Sequence, residues 1–178
     1  MRSRLIAAAV LVLAATLVGR PLLDGGGQSH AARTSAQVVR VVDGDTLVAR
    51  SDGRTFYVRL LGIDTPETHR PGTPVECGGP EASANMRRLV PPGAAIELEP
   101  DPTQDRIDRY GRTLAYVWLS DGRLLEDAQL ESGWATTYVF EGRPVSLFDR
   151  LGRAAREAQR AGRGVYRECG GDFHSAGG

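Results

Sequence analysis

From Val38 onward the apolar and polar positions fall into short alternating runs separated by Asp-Gly turns, the pattern of hairpin-linked strands. Val38, Val39, Val41 and Val42 make a β-branched strand, Asp43-Gly44-Asp45 turns it, and Thr46 to Arg50 carries Leu47 and Val48 in a second strand. Ser51-Asp52-Gly53-Arg54 is a further hairpin turn. The third strand is expected from Thr55 to Gly62, with Phe56, Val58 and Leu60 on one face and Tyr57, Arg59 and Leu61 on the other. Pairing about Asp52-Gly53 sets Asp45 opposite roughly Leu60, so Asp64 lies a few residues beyond it. The two acids meet only if the chain bends, and Gly62 is placed to let it bend.

Thr65 to Gly79 is a Pro- and Gly-rich loop, long enough to suspect function. Pro80 and Glu81 then suit the first turn of a helix running to about Val90, with Ala82, Met86 and Leu89 as its buried stripe and Pro91-Pro92 ending it. Ala94 to Glu99 alternates as a strand, Pro100 to Tyr110 is a polar loop, and Thr113 to Leu119 alternates again. A helix follows from about Leu124 to Ser132, closed by Gly133, and Trp134 to Phe140 is apolar and aromatic. Val145 to Arg163 reads as a last helix with Phe148, Leu151, Ala155 and Ala158 inward. Its Arg150, Arg153, Arg156, Arg160 and Arg163 fall on another face, a solvated surface or a polyanion contact. This order fits a β-barrel with helices (α+β): a five-stranded Greek-key barrel of the oligonucleotide-binding (OB) type with about three helices.

A chain of 178 residues, 41% of them hydrophobic, suffices for one domain with a proper core. Met1 to Arg4 is basic and Leu5 to Val18 is apolar apart from Thr16, the layout of an export signal. With Leu22 and Leu23 added, an uncleaved membrane anchor is the alternative. The expected division is therefore 1–23 export signal or anchor, 24–36 linker, 37–168 catalytic or binding barrel and 169–178 flexible tail, in a secreted or extracytoplasmic protein. Beyond Arg33 the chain holds 18 arginines against 21 acids and no lysine, so bulk electrostatic gripping of nucleic acid is disfavoured and phosphate contacts must be local. Arginine suits them, because its planar fork meets phosphate bidentately. Cys77 and Cys169, far apart and outside any metal-type spacing, read as a disulfide in an oxidising compartment, with free thiols as the alternative.

Between Asp43 and Glu67 stand Asp43, Asp45, Asp64 and Glu67 together with Arg59. Hard cations take carboxylate and carbonyl oxygens, and a phosphodiester needs positive charge beside a group that handles water, so the span suggests metal-assisted phosphodiester hydrolysis. Turn acids of a small β-domain are the bland alternative. His30, His69 and His174 show no metal spacing and are given no role.

The motifs Val-Val-Asp-Gly-Asp-Thr (41 to 46), Val-Arg-Leu-Leu-Gly-Ile-Asp-Thr-Pro-Glu (58 to 67), Gly-Pro-Glu-Ala (79 to 82), Asp-Arg-Tyr-Gly-Arg-Thr-Leu-Ala-Tyr (108 to 116) and Leu-Glu-Ser-Gly-Trp-Ala (130 to 135) resemble the staphylococcal nuclease family. The resemblance covers about Gln37 to Tyr166. It implies an OB barrel and a calcium-dependent nuclease acting on DNA, with RNA as a further substrate. It also implies Asp45 and Asp64 as calcium ligands with the Thr65 carbonyl beside them, Glu67 as the residue that orients or deprotonates the attacking water, and Arg59 and Arg112 as the phosphate clamp. Asp43 is expected to serve the turn. Arg109 stands where the family has a basic residue by the phosphate, and Tyr110 and Tyr138 align with aromatic positions near the nucleotide, where stacking is reasonable. The mild acidity departs from the lysine-rich family members. The cysteine pair lies outside the motifs and is expected to pin the C-terminus to the site loop. A non-catalytic binding barrel of the same family is the alternative, and a monomer is expected.

Overall fold

Thr34–Val41 (β1), Thr46–Ser51 (β2) and Arg54–Leu60 (β3) form consecutive antiparallel hairpins in the computed structural model, which describes residues 32–68, 72 and 74–177. After the short strand Ile63–Asp64 (β4) and the helix Gly79–Leu89 (α1), Ala95–Glu99 (β5) and Thr113–Leu119 (β6) complete the sheet. The strand order β1-β2-β3-β6-β5 closes into a barrel, with β6 parallel to β3 and β5 returning to β1. Closure leaves no long unpaired edge on the sheet. Leu125–Glu131 (α2), Thr136–Thr137 (β7), Phe148–Arg160 (α3) and Val165–Glu168 (α4) follow, and β7 pairs with β4 in a two-stranded ribbon beside the barrel.

The alternation read from the sequence shows in the burial. Leu47, Val58, Leu60, Ile96, Leu98, Ala115 and Val117 are buried inside, where they meet Met86 of α1, Leu125 and Leu130 of α2 and Leu151 of α3. Asp45 lies opposite Leu60, whose amide donates to its carbonyl at 2.9 Å. Gly62 makes the expected bend with φ 72°, and Tyr138 donates to its carbonyl at 2.9 Å, so the bend carries the chain onto β7.

Three expectations need correction. The barrel begins before Gln37, because Thr34–Ala36 pair with Ile96–Leu98 of β5; the exposed polar side chains of Thr34 and Ser35 hide the strand. The last helix starts at Phe148 rather than Val145, since the Ser146 amide is held by Asp101. It ends at Arg160, where Arg163 donates to the Ala158 carbonyl and Gly162 to that of Gln159, a hydrogen-bonded stop before α4. Residues 169–177 are no loose tail: a disulfide joins Cys169 to Cys77, Ser175 and Gly177 bond to the chain at 75–77, and buried Phe173 packs edge-on against Tyr166.

The expected export or anchor segment, most of the linker, His30 and His69 lie outside the described residues. Among the described residues no helix is long and apolar enough to cross a membrane. Of the arginine stripe, Arg150 is engaged, pairing with Asp127 at 2.6 Å and lying 5.4 Å from the Trp118 ring centre.

Candidate active site

The turn between β1 and β2 directs a carboxylate inward. Asp43 Oδ1 accepts the Asp45 amide at 3.1 Å, the local bond by which an aspartate mimics a backbone turn. A side chain at Gly44 would find no room, since its Cβ would sit 2.6 Å from Thr65 Oγ1 and 2.8 Å from Ala82 Cβ. The Gly44 carbonyl accepts the buried Gln129 amide at 2.6 Å, and Gln129 also donates to the Ala82 carbonyl at 3.3 Å. A side chain from α2 thereby locks the turn to α1. Asp45, 7% exposed, accepts the Thr65 amide and hydroxyl on Oδ2, both at 3.1 Å, and the Thr46 hydroxyl on Oδ1 at 3.0 Å.

Arg59 projects from β3 between the two aspartates. Its Nη2 lies 2.8 Å from Asp64 Oδ1 and 3.1 Å from Asp45 Oδ2, while Nη1 donates to the carbonyls of Leu60 and Ile63 at 2.8 and 2.9 Å. The guanidinium thus orders both carboxylates and the bend that brings Asp64 back to Asp45. One arginine does not balance the acids gathered here. Burial pushes the Asp43 carboxyl up to about 7, with the Asp45 charge adding to it, and burial raises Asp64 as well, against the pull of Arg59. The donors are all oxygen and the site is short of positive charge, which suits a hard cation. Among the described residues no three His, Cys, Asp or Glu side chains form a ready-made metal cage.

Arg112 enters from the start of β6. Its amide and Nε both donate to Asp108, at 2.9 and 2.7 Å, and among the described residues its two terminal nitrogens have no partner. The fork is held at its base and open at its tip. Bonds from Arg112 and Tyr110 carry the Asp108 carboxyl below its usual range although burial opposes them, so the anchor stays charged. Glu67 lies on the loop after β4; its amide donates to Glu76 Oε2 at 2.6 Å and its Oε1 accepts the Thr68 amide at 2.9 Å. Asp43, Asp45, Arg59, Asp64, Thr65, Glu67 and Arg112, separated along the chain, all line one polar cavity of about 310 Å³.

A second cavity of about 630 Å³ continues from it and holds the aromatic residues. Tyr110 is 68% and Tyr138 42% exposed, so neither is a core residue, and Ile107 and Phe140 join them on the groove wall. Arg109 donates to Tyr110 Oη at 2.6 Å and stacks 4.8 Å from its ring centre, which places Arg109 on the groove side. Arg59, Asp64, Tyr110, Arg112 and His174 line both cavities.

Residues 57–168 match the family model described as staphylococcal nuclease homologue. The chain belongs to the staphylococcal nuclease family. It is 34% identical over 164 residues to a thermonuclease of Staphylococcus hyicus, across 91% of this chain and 94% of that one. A thermonuclease of Staphylococcus intermedius is 40% identical over 123 residues, 65% of this chain and 71% of its own. The endonuclease YncB of Bacillus subtilis (strain 168) is 42% identical over 103 residues, 57% of this chain and 47% of its own. The protein is a nuclease, and nucleic acid is its substrate.

The nuclease site also holds residues that the sequence did not single out. Glu76, 6% exposed, fixes the Glu67 main chain in both directions, since its own amide donates to the Glu67 carbonyl at 2.9 Å. Gln129 on α2 sits 85 residues from the turn it anchors, so no local sequence signal pointed to it. His174, given no role above, reaches the cavity with Nε2 3.7 Å from Asp64 Oδ2 and Nδ1 3.5 Å from Glu76 Oε2.

Proposed function

We infer that this nuclease is exported and calcium-dependent, and that it hydrolyses phosphodiester bonds of DNA, and of RNA, as a monomer. The observation that carries the reading is the convergence of Asp45, Arg59, Asp64, Glu67 and Arg112 on one cavity, from three separate stretches of the chain. Asp45 and Asp64 would hold the ion, with the Thr65 carbonyl beside them. When bound, a hard dication polarises the phosphate and offsets the charge that builds on its oxygens. Arg112, anchored at Nε and open at its tip, receives the phosphate through two parallel N–H bonds. Arg59 keeps the carboxylates in place and adds charge on the same side. Glu67 positions the attacking water in line and takes its proton as the bond to phosphorus forms, while the opposite P–O ester bond breaks and the leaving sugar oxygen takes a proton from solvent. Tyr110 and Tyr138 offer faces for bases flanking the scissile phosphate. The apolar run 5–18 and the disulfide support export.

The test is degradation of single-stranded DNA by the purified protein with calcium and with chelator. Cleavage that appears with calcium and stops with chelator is expected. Cleavage indifferent to the chelator would overturn the calcium assignment.

A further inference from the structure

His174 lies beyond the family match at 57–168, yet it is carried to the centre of the site by a structure of its own. The Cys77–Cys169 disulfide returns the chain after α4 to the loop that bears Glu67 and Glu76. Phe173 is buried against Tyr166, Asp172 Oδ1 accepts the His174 amide at 2.9 Å, and the strand-like bonds Cys77 to Ser175 and Gly177 to Val75, both 2.8 Å, clasp the residues that follow. The segment is therefore fixed on both sides of His174.

The imidazole is not committed to holding the acids in place. Arg59, which does that, sits 2.8 Å from Asp64, whereas the His174 nitrogens stand at 3.5 and 3.7 Å from their carboxylates and the side chain is 60% exposed. It lines both the carboxylate cavity and the aromatic groove, as Tyr110 and Arg112 do, with Tyr138 further along the groove. An imidazole carries at least one N–H at any pH, so a donor is always available there. The acidity of this domain leaves local donors as its means of holding phosphates.

We propose that His174 is a substrate-binding residue of this nuclease, donating a hydrogen bond to a backbone phosphate next to the scissile one, and that the disulfide-pinned C-terminal segment exists to present it. The proposal rests on the nuclease reading above. It is tested on the full chain with a fluorescent single-stranded oligodeoxynucleotide, measuring kcat and KM, with calcium affinity by isothermal titration calorimetry as a readout independent of turnover. His174→Ala is expected to raise KM about 3- to 10-fold, the loss of one hydrogen bond to a charged acceptor, with kcat and calcium affinity unchanged. His174→Gln, which keeps a donor, recovers part of the loss. Cys169→Ser raises KM to a similar degree, and the His174→Ala/Cys169→Ser pair is no worse than the poorer single variant, because both remove the same contact. An unchanged KM in His174→Ala overturns the proposal, as does a fall in kcat or calcium affinity alone, which would make His174 a support for Asp64. A wild-type protein that does not cleave the oligonucleotide removes the nuclease reading itself.

Discussion

Asp101, just past β5, binds the barrel to the wall of the groove, and its removal should cost the protein a large share of its stability. The side chain is 3% exposed and accepts hydrogen bonds on both oxygens: Thr103 amide and hydroxyl at 2.8 and 2.7 Å on Oδ1, and Tyr116 Oη, Ser146 amide and Ser146 hydroxyl at 2.6, 2.6 and 2.8 Å on Oδ2. Tyr116 belongs to β6, and Ser146 leads into α3 beside the loop that lines the groove. Bonds to a charged acceptor contribute about 1.5–3 kcal/mol each, but five such values would sum to roughly the whole stability of a domain, so they cannot add. The exposed donors recover water when the carboxylate goes. Tyr116 Oη, on a residue only 1% exposed, keeps the Leu147 amide and the Ser146 hydroxyl at 3.4 Å but loses its charged acceptor. Asp101→Ala should therefore lose about 3–5 kcal/mol, Asp101→Asn about 2–4, and Tyr116→Phe about 1–2, since the carboxylate retains its other donors. At about 2–4 °C per kcal/mol, the alanine variant should melt roughly 6–20 °C below wild type. Burial alone would raise the Asp101 carboxyl, yet the bonds from Tyr116, Thr103 and Ser146 outweigh it and hold it below the usual carboxylate value. Its contribution is then present above the unfolded carboxylate pKa of about 4 and is lost as pH falls through the lower folded value, so wild type and Asp101→Asn should converge in stability below about pH 4. Urea and thermal unfolding followed by circular dichroism, at pH 7 and in steps down to pH 3, read both effects. An Asp101→Ala protein within 1 kcal/mol of wild type at pH 7 refutes the reasoning.

Gly44→Ala should fold but cleave poorly, because its Cβ displaces Thr65 from Asp45; kcat should drop at least about tenfold with a stability loss of about 1–3 kcal/mol, and unchanged kcat would show that the Thr65 bond does not matter to how Asp45 acts. Reducing the disulfide, which spans 92 residues, should lower stability by about 4–5 kcal/mol in the chain-entropy account, seen as a fall in urea midpoint with dithiothreitol; an unmoved midpoint would mean that the loop constraint contributes little.

The barrel was legible because its strands keep a period of two and its turns carry Asp-Gly. Thr113–Leu119, for example, stands at the predicted bounds, and the Asp45–Leu60 register follows from the Asp52-Gly53 turn. The acids and arginines of the site were legible as motif residues, though not the use of Arg59 as counter-ion to both aspartates. What stayed hidden depends on long-range partners. Thr34–Ala36 is a strand only because β5 comes back to it, and β4 and β7 are too short to show a period. Asp101, Glu76 and Gln129 are single polar residues whose burial follows from who surrounds them. His174 sits in a stretch without apolar periodicity, placed by a covalent bond and two main-chain contacts.

One cavity joins the proposed ion site to a phosphate fork, and Arg112→Ala separates the two. With single-stranded DNA and saturating calcium, this variant should lose about 10²–10³ in kcat/KM, as when a donor to developing charge is removed, while its calcium affinity by calorimetry stays within about threefold of wild type. An Arg112→Ala enzyme that cleaves as fast as wild type would contradict this.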